Sequence, residues 1–327
     1  MSLRPPPTLS VVIPLCNEGA GVDALFVRLL PILESAADEF EIVCVNDGSS
    51  DDTLARLLDW QRRVPELYVL DLSRNFGKEA ALTAGLDHAR GRAVVPLDAD
   101  LQDPPELIPQ LLAKWREGFE MVLCRRTDRS RDGLVKRVTA RLFYRLHNVI
   151  SPVPIPENVG DFRLMDRAVV EAVKRLPERQ RFMKGLFAWA GFRQTEIGYA
   201  REARRQGASK WAWWRLWNLG IDGLTSFSTA PLRLWSYLGV VVSASAFLYG
   251  LYILVRRLLL GADVPGYASL MTALLFFAGL QIVSLGIIGE YLGRIFVEAK
   301  QRPPYVLRRV YDAPHTLKVR RPVAEGH

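Results

Sequence analysis

Val94-Val95-Pro96-Leu97-Asp98-Ala99-Asp100-Leu101-Gln102-Asp103-Pro104-Pro105-Glu106 is the stretch on which the reading of the fold turns. A short apolar run, of strand length, enters a group of acidic residues, and Pro-Pro then opens a helix. Open α/β sheets bind ligands beyond the carboxyl ends of their strands, so carboxylates placed there are candidates for chemistry. Asp98 and Asp100, one residue apart, can both lean toward one hard cation. Mg²⁺ takes one or two carboxylates together with substrate phosphates. A solvated turn accounts for the same residues, with Asp103 as N-cap and Pro104 as the first helical residue. Asp-x-Asp alone does not separate the two readings.

The same pattern recurs outward from this stretch. Leu9 to Pro14 is a continuous apolar run, the mark of a strand covered on both faces, and Asn17-Glu18-Gly19 leads from it into an amphipathic helix over about 20–36. Glu41 to Val45 is a second strand, ending at Asn46-Asp47-Gly48-Ser49-Ser50-Asp51-Asp52-Thr53, a Gly turn with helix caps. Leu67 to Leu72 is a third, followed by Arg74-Asn75-Phe76-Gly77-Lys78 and a helix to about Arg90; Ala93 to Leu97 is the fourth. This alternation predicts an α/β fold with a mostly parallel, Rossmann-like sheet. Right-handed crossovers bring such strand ends to one edge, where Glu18, Asp47, Lys78, Asp98 and Asp100 would converge. Singly, Asp47 reads equally well as a turn cap and Lys78 as a solvated lysine at a helix start. Their repetition at equivalent strand ends favours a shared site. With no GxGxxG and no GxxxxGK[ST], a nucleotide would be held by a metal and carboxylates.

The chain has 327 residues, 49% of them apolar, and a formal net charge of +8. Leu234 to Val255 and Val264 to Gly289 carry no charge, and each exceeds the roughly 20 residues that cross a bilayer core. A buried helix pair in a soluble protein is the competing reading; two runs of this length favour two transmembrane helices, at about 234–257 and 264–292. Met1 to Pro7 lacks the apolar core of a signal peptide, which predicts a cytoplasmic first domain. Two crossings return the C-terminus to the same side. Arg201, Arg204, Arg205, Lys210, Arg215 and Arg233 precede the first span, and Arg294, Lys300, Arg302, Arg308 and Arg309 follow the second, outnumbering Arg256 and Arg257 at the far end. The expected location is therefore the inner, cytoplasmic membrane. Four tryptophans within Trp211 to Trp217, mixed with Lys210 and Arg215, predict an interfacial amphipathic helix within 206–230. The organisation expected is a catalytic domain over 1–205, the interfacial region 206–230, the spans within 231–298, and a charged cytoplasmic tail over 299–327. The positive charge suits an anionic membrane or phosphorylated substrates. No zinc spacing or nucleic-acid module is found, so no nucleic-acid partner is expected. Cys16, Cys44 and Cys124 lack CxxC spacing and read as free thiols.

Val-Val-Ile-Pro-Leu-Cys-Asn-Glu (11–18), Val-Asn-Asp-Gly-Ser-Ser-Asp-Asp-Thr (45–53), Arg-Asn-Phe-Gly-Lys-Glu-Ala-Ala-Leu (74–82) and Asp-Ala-Asp-Leu-Gln-Asp-Pro-Pro-Glu (98–106) resemble the inverting family 2 glycosyltransferases of GT-A fold. Within that family the chain is similar to polyprenyl-phosphate glycosyltransferases, the group of dolichol-phosphate mannose synthase and the bactoprenol glucosyltransferases. Gly160 to Leu164, Arg181 to Gly185, Gly207 to Trp211, Thr225 to Arg233 and Gly289 to Arg294 agree with the bactoprenol branch. The resemblance spans about residues 8–306.

What the resemblance implies is transfer of a hexose, with UDP-glucose favoured as donor over GDP-mannose or a modified UDP-sugar, to undecaprenyl phosphate. It implies Pro14, Glu18, Asp47, Lys78, Asp98 and Gln102 at the nucleotide sugar. Asp98 and Asp100 would hold Mg²⁺ or Mn²⁺ on the diphosphate, and Asp161 would orient the acceptor or act as base; a structural turn is the plainer account of Asp161. Arg125 and Arg137 would hold the acceptor phosphate, although a solvated helix face explains most arginines between 125 and 145. Arg201 and Arg205 would close over the diphosphate, or form a basic edge facing the membrane. A homo-oligomer is compatible with this pattern. Competing classes are a processive synthase, against which stand two spans and no Gln-x-x-Arg-Trp, and a membrane scaffold or flippase carrying an inert domain.

Overall fold

Residues 7–127, 156, 158–179, 181–200, 230–260 and 266–312 are described by the structure, a computed structural model. The chain divides into two compact units, one of them comprising 1–144, 155–212 and 303–327 and the other 145–154 and 213–302. Arg137, Arg201, Arg205 and the tryptophan-rich segment lie outside the described residues.

The first unit is built on β1 (Leu9–Leu15), β2 (Phe40–Asn46), β3 (Leu67–Leu72) and β4 (Ala93–Pro96). Val11, Val12 and Ile13 are all fully buried. Successive side chains of a strand point to opposite faces, so this run has helices on both sides, which is why it shows no alternation. One face carries α1 (Gly19–Ala36), α2 (Thr53–Gln61) and α4 (Ile108–Arg116), packed on Leu9, Val11, Ile13 and Leu15. The other carries α3 (Lys78–His88), α5 (Arg167–Lys174) and α6 (Met183–Trp189). Each aliphatic side chain buried in these layers stabilises the fold by about 1.5–3 kcal/mol.

Three further strands, β5 (Met121–Arg126), β6 (Val159–Asp166) and β7 (Gln194–Tyr199), extend the sheet beyond β4, and β8 (Leu307–Tyr311) closes its far side. The order is β7-β5-β6-β4-β1-β2-β3-β8. Only β6 and β8 run against the others, so the sheet is mostly parallel, as the alternation of strands and helices predicts. Because β6 is antiparallel, its first residues reach the edge where the parallel strands end. That direction delivers Asp161 to the edge that carries Asp47 and Asp98.

β8 differs from the expected tail over 299–327. It pairs with β3, Tyr311 opposite Val69 and Leu307 opposite Leu72. Gln61 Nε2 donates to the Tyr311 carbonyl (2.6 Å), and the Tyr305 hydroxyl donates to Asp87 (2.9 Å). Arg308 and Arg309 on this outer strand give the charge that deters pairing with another chain; that same charge makes the segment read as solvated tail.

In the second unit, α7 (Ala230–Leu260) and α8 (Tyr267–Ala299) have 31 and 33 residues. At ~1.5 Å per residue each is longer than the ~30 Å bilayer core; α7 overruns the expected 234–257 at both ends, and α8 starts after 264 and runs beyond 292. Their apolar side chains face outward, Phe247 at 72% and Leu259 at 77% exposure. Such a surface belongs against lipid or another chain rather than water. By length and composition, Trp235–Ile253 and Ser269–Ala299 are candidate membrane spans.

Candidate active site

β1 lies between β2 and β4, so the chain order reverses there, and the carboxyl ends of β1 and β4 flank the crevice characteristic of such sheets. Pairing of β4 with β1 stops at Val12–Pro96. Pro14, which has no N–H to donate, follows that last pair and sits half-buried at the opening. Glu18 is half-buried in a turn tied to the β2–α2 segment. Its backbone N–H donates to Thr53 Oγ1 (3.0 Å), and the Asn17 side chain accepts from the Ser50 N–H (2.8 Å).

Asp47 is buried, and its two oxygens accept from the backbone N–H groups of Phe76 (2.7 Å) and Gly77 (2.9 Å). Burial pushes its carboxyl above the usual range, against the pull of these two donors. In this structure Asp47 therefore anchors the β3–α3 loop. Two glycines make that anchoring possible. Gly48 has φ +58°, and a Cβ there would come within 2.3 Å of Arg74 backbone; Gly77, with φ +98°, turns the loop into α3.

Lys78, fixed by this loop, bridges the two sides of the edge. Its ammonium meets both oxygens of Asp98 (2.7 and 2.9 Å) and Oδ2 of Asp161 (2.7 Å). Burial works against the Lys78 charge, but Asp161 and Asp98 outweigh it and hold the ammonium above its ordinary range. Burial likewise pushes Asp161 up, and the positive charges of Lys78, Lys184 and Arg163 overcome it, holding the carboxyl well below the carboxylate range. Among the described residues, Asp161 Oδ1 is buried without a hydrogen-bond partner. Such an orphaned acceptor is costly to leave dry and fits a proton or ligand donor arriving from the crevice. Asp161 lies within strand β6 rather than in the structural turn that is its plainer account from sequence.

Asp98 and Asp100 are half-buried just past β4, and Asp100 Oδ1 accepts from the Gln102 N–H (3.2 Å), which fixes the turn between them. Two carboxylates one residue apart fit a hard divalent ion whose remaining ligands come from substrate phosphates and water. Among the described residues, no group of three or more His, Cys, Asp or Glu side chains gathers as a fully protein-made cage. The N-cap account of Asp103 does not hold. Asp103 is buried and accepts from the Tyr199 hydroxyl, and the helix begins with a 3₁₀ turn at Pro105–Leu107.

Of the two arginines expected at the acceptor phosphate, Arg125 is exposed and paired with Glu196 (2.9 Å). The next residue faces the opposite way: Arg126 reaches the Tyr199 hydroxyl (3.3 Å), and the negative charges of Asp103 and Asp98 act on it. Strand alternation assigns the two arginines to opposite faces, but the sequence does not tell which face looks into the site.

Sequence reading also passed over Glu79, Arg163 and Lys184. Arg163 is buried, donates to the Gly160 carbonyl (2.7 Å), and stacks over Phe187; burial lowers its basicity, with the nearby Asp161 opposing, to about 10. Glu79 accepts from the Met183 N–H (3.3 Å). Burial and then the Asp161 charge push its carboxyl up to about 7. Glu79 is part of the 74–82 motif and Arg163 and Lys184 of the 160–164 and 181–185 motifs, which was the signal that pointed to them.

Residues 10–174 match the model of glycosyl transferase family 2, and residues 230–295 match the GtrB C-terminal hairpin. An uncharacterized glycosyltransferase of Synechocystis is 52% identical over 299 residues, covering 91% of this chain and 94% of its own length. The SfII prophage-derived bactoprenol glucosyl transferase of Shigella flexneri is 48% identical, covering 92% and 97%. A prophage bactoprenol glucosyl transferase homolog of Escherichia coli is 47% identical, covering 92% and 99%.

Proposed function

The chain belongs to glycosyl transferase family 2, and from that premise we propose that it transfers one hexose from a nucleotide sugar to a polyprenyl phosphate, with inversion, at the cytoplasmic face of a membrane. The observation that carries this reading is the Lys78 bridge between Asp98 and Asp161. It joins a carboxylate suited to the donor diphosphate to a carboxylate with an unused oxygen, along a single edge.

Glu18, Asp47, Gln102 and Pro14 shape the donor side, and Asp47 does so by holding the loop that carries Lys78. A divalent ion on Asp98 and Asp100 would neutralise charge on the diphosphate. An oxygen of the acceptor phosphate attacks the anomeric carbon from the face opposite the diphosphate. That new C–O bond forms as the bond to the diphosphate breaks. A phosphate monoester has a second pKa of about 6, so the nucleophile arrives largely ionised and needs orientation more than deprotonation. Asp161, kept ionised by its three cationic neighbours, is too weak a base to take a proton from the acceptor and instead accepts a hydrogen bond that orients it. Lys78 offsets negative charge where two phosphorylated substrates approach each other.

UDP-glucose is the favoured donor, because the Shigella and Escherichia relatives are glucosyl transferases by name. The acceptor is read from the same names and from the two long apolar helices. Arg137, Arg201 and Arg205 remain candidates for phosphate contacts. The test is a donor screen on purified protein in detergent. UDP-glucose, UDP-galactose, UDP-N-acetylglucosamine and GDP-mannose are each offered with undecaprenyl phosphate and Mg²⁺ or Mn²⁺, and chloroform-extractable label is counted. Transfer from UDP-glucose supports the reading in full; no lipid-linked product from any donor overturns it.

A further inference from the structure

The acidic loop after β4 is strained at its centre. Leu101, between Asp100 and Gln102, is buried at φ +54°, a left-handed conformation that a bulky L side chain keeps only where its surroundings hold it. Beyond Gln102, Asp103 is 2% exposed and accepts from the Tyr199 hydroxyl. The same hydroxyl accepts from Arg126 Nε (3.3 Å), and Arg126 Nη2 stands 4.0 Å from Asp103. An arginine can only donate, so the single hydroxyl proton of Tyr199 is directed at Asp103.

Tyr199 is fixed in turn. It ends β7 opposite Arg126, the last residue of β5. Its carbonyl accepts from both the N–H (2.9 Å) and the hydroxyl (3.1 Å) of Thr127, and its ring meets Phe162 of β6 edge-on at 6.4 Å. Gly198 permits the close approach, because a Cβ there would come within 2.9 Å of the Thr127 methyl. Side chains of β5, β6 and β7 thus hold one ring, and that ring holds the acidic loop.

We propose that Tyr199 is a positioning residue for Asp98 and Asp100: through Asp103 it sets where the two carboxylates stand. This rests on the metal role in the function proposed above and adds what holds those carboxylates in place. An apolar pair would fill the same space at less cost than a buried carboxylate; what the hydroxyl–carboxylate bond adds is direction. Released from that bond, Leu101 can return to negative φ, and the turn that carries Asp100 changes shape with it. A divalent ion needs both carboxylates at one point, so the loss should fall on metal affinity.

Binding of Mn²⁺ to the full chain in detergent with UDP, followed by electron paramagnetic resonance without turnover, tests this. Tyr199→Phe should raise the Mn²⁺ dissociation constant about tenfold, the size expected for one lost bond to a charged acceptor. Asp103→Ala removes the tie from the loop's side and should match it. Asp103→Asn, whose amide oxygen still accepts from Tyr199, should lose about threefold or less. Tyr305→Phe is the control for stability alone. It removes the hydroxyl from another tyrosine–aspartate pair, with Asp87 (2.9 Å), and should leave the constant within about twofold. In transfer assays, raised Mn²⁺ should recover most of the Tyr199→Phe rate, which a loss of folded protein would not allow. Equal Mn²⁺ binding by wild type, Tyr199→Phe and Asp103→Ala, or an equal loss in Tyr305→Phe, would overturn the inference alone. A wild type that binds no Mn²⁺ with UDP would overturn the metal role and the inference together. Weakened Mn²⁺ binding in Tyr199→Phe, in a protein whose wild type transfers nothing to lipid, would support the inference and overturn the acceptor proposed above.

Discussion

Replacing Lys78 by Met keeps the length and apolar stem of the side chain and removes a cation that touches both Asp98 and Asp161. Asp161 is 14% exposed and Lys78 is 42% exposed. Stranding a buried partner costs about 3–5 kcal/mol. Solvent reaches the lysine end and Lys184 and Arg163 remain, so we halve that to about 2 kcal/mol. For a domain of this size that corresponds to a fall of about 4–8 °C in thermal midpoint near neutral pH. The pH dependence gives the prediction its sign. The folded Asp161 carboxyl is held low, so its contribution is present above the unfolded value of about 3.9 and is lost only as pH falls through the folded one. Without Lys78 the folded value rises, the variant takes up a proton earlier, and the penalty should shrink as pH drops from 8 to 5. The acid limb of the pH–rate profile should move up for the same reason. Thermal scans in detergent from pH 5 to 8, paired with initial rates, read both effects. An unchanged midpoint together with an unmoved acid limb would refute the view that Lys78 holds Asp161 ionised.

Other predictions follow from the same geometry. Glu79 has a folded value raised to about 7, so its contribution is full below the unfolded value and lost as pH rises through 7. Glu79→Gln should therefore be more stable than wild type at pH 8, by about 1–3 kcal/mol, and similar at pH 5, as read by chemical denaturation. Arg125→Ala removes only an exposed ion pair and should cost about 0.2–1 kcal/mol with little change in rate; Arg126→Ala, facing Tyr199 and Asp98, should lower transfer clearly, and equal effects of the two would contradict the assignment of faces. Asp100→Asn should abolish metal-dependent transfer in a protein whose circular dichroism is unchanged, and full activity with chelator present would remove the metal role. Gly48→Ala, forced against Arg74 backbone at positive φ, should lower the thermal midpoint and weaken donor affinity together, measured by thermal scan and nucleotide titration.

Much of this was legible in the chain because burial on two faces leaves a plain mark. Leu9 to Pro14 and Glu41 to Val45 are continuous apolar runs, and their order with the helices between them sets the parallel core. Asp47, Lys78 and Asp98 follow from that topology, since one edge collects the strand ends. What the sequence concealed depends on contacts made at a distance. Asp47 read equally well as a turn cap and as a ligand contact, and that its oxygens hold two loop amides was hidden because nothing local records where Phe76 and Gly77 fold back. Glu79 and Met183 meet across more than one hundred residues of chain, so no spacing reveals the contact. β8 was masked by Arg308 and Arg309, whose charge suits an outer strand and a solvated tail equally.

The most direct test of the account is the chemical identity of the product made from UDP-glucose and undecaprenyl phosphate, with undecaprenol as the control acceptor. Mass spectrometry and NMR of the extracted lipid should show a single hexose per chain, joined through phosphate in β configuration, and nothing on the undecaprenol. A ladder of hexoses, retention of the donor's configuration, or equal transfer to the alcohol would contradict it.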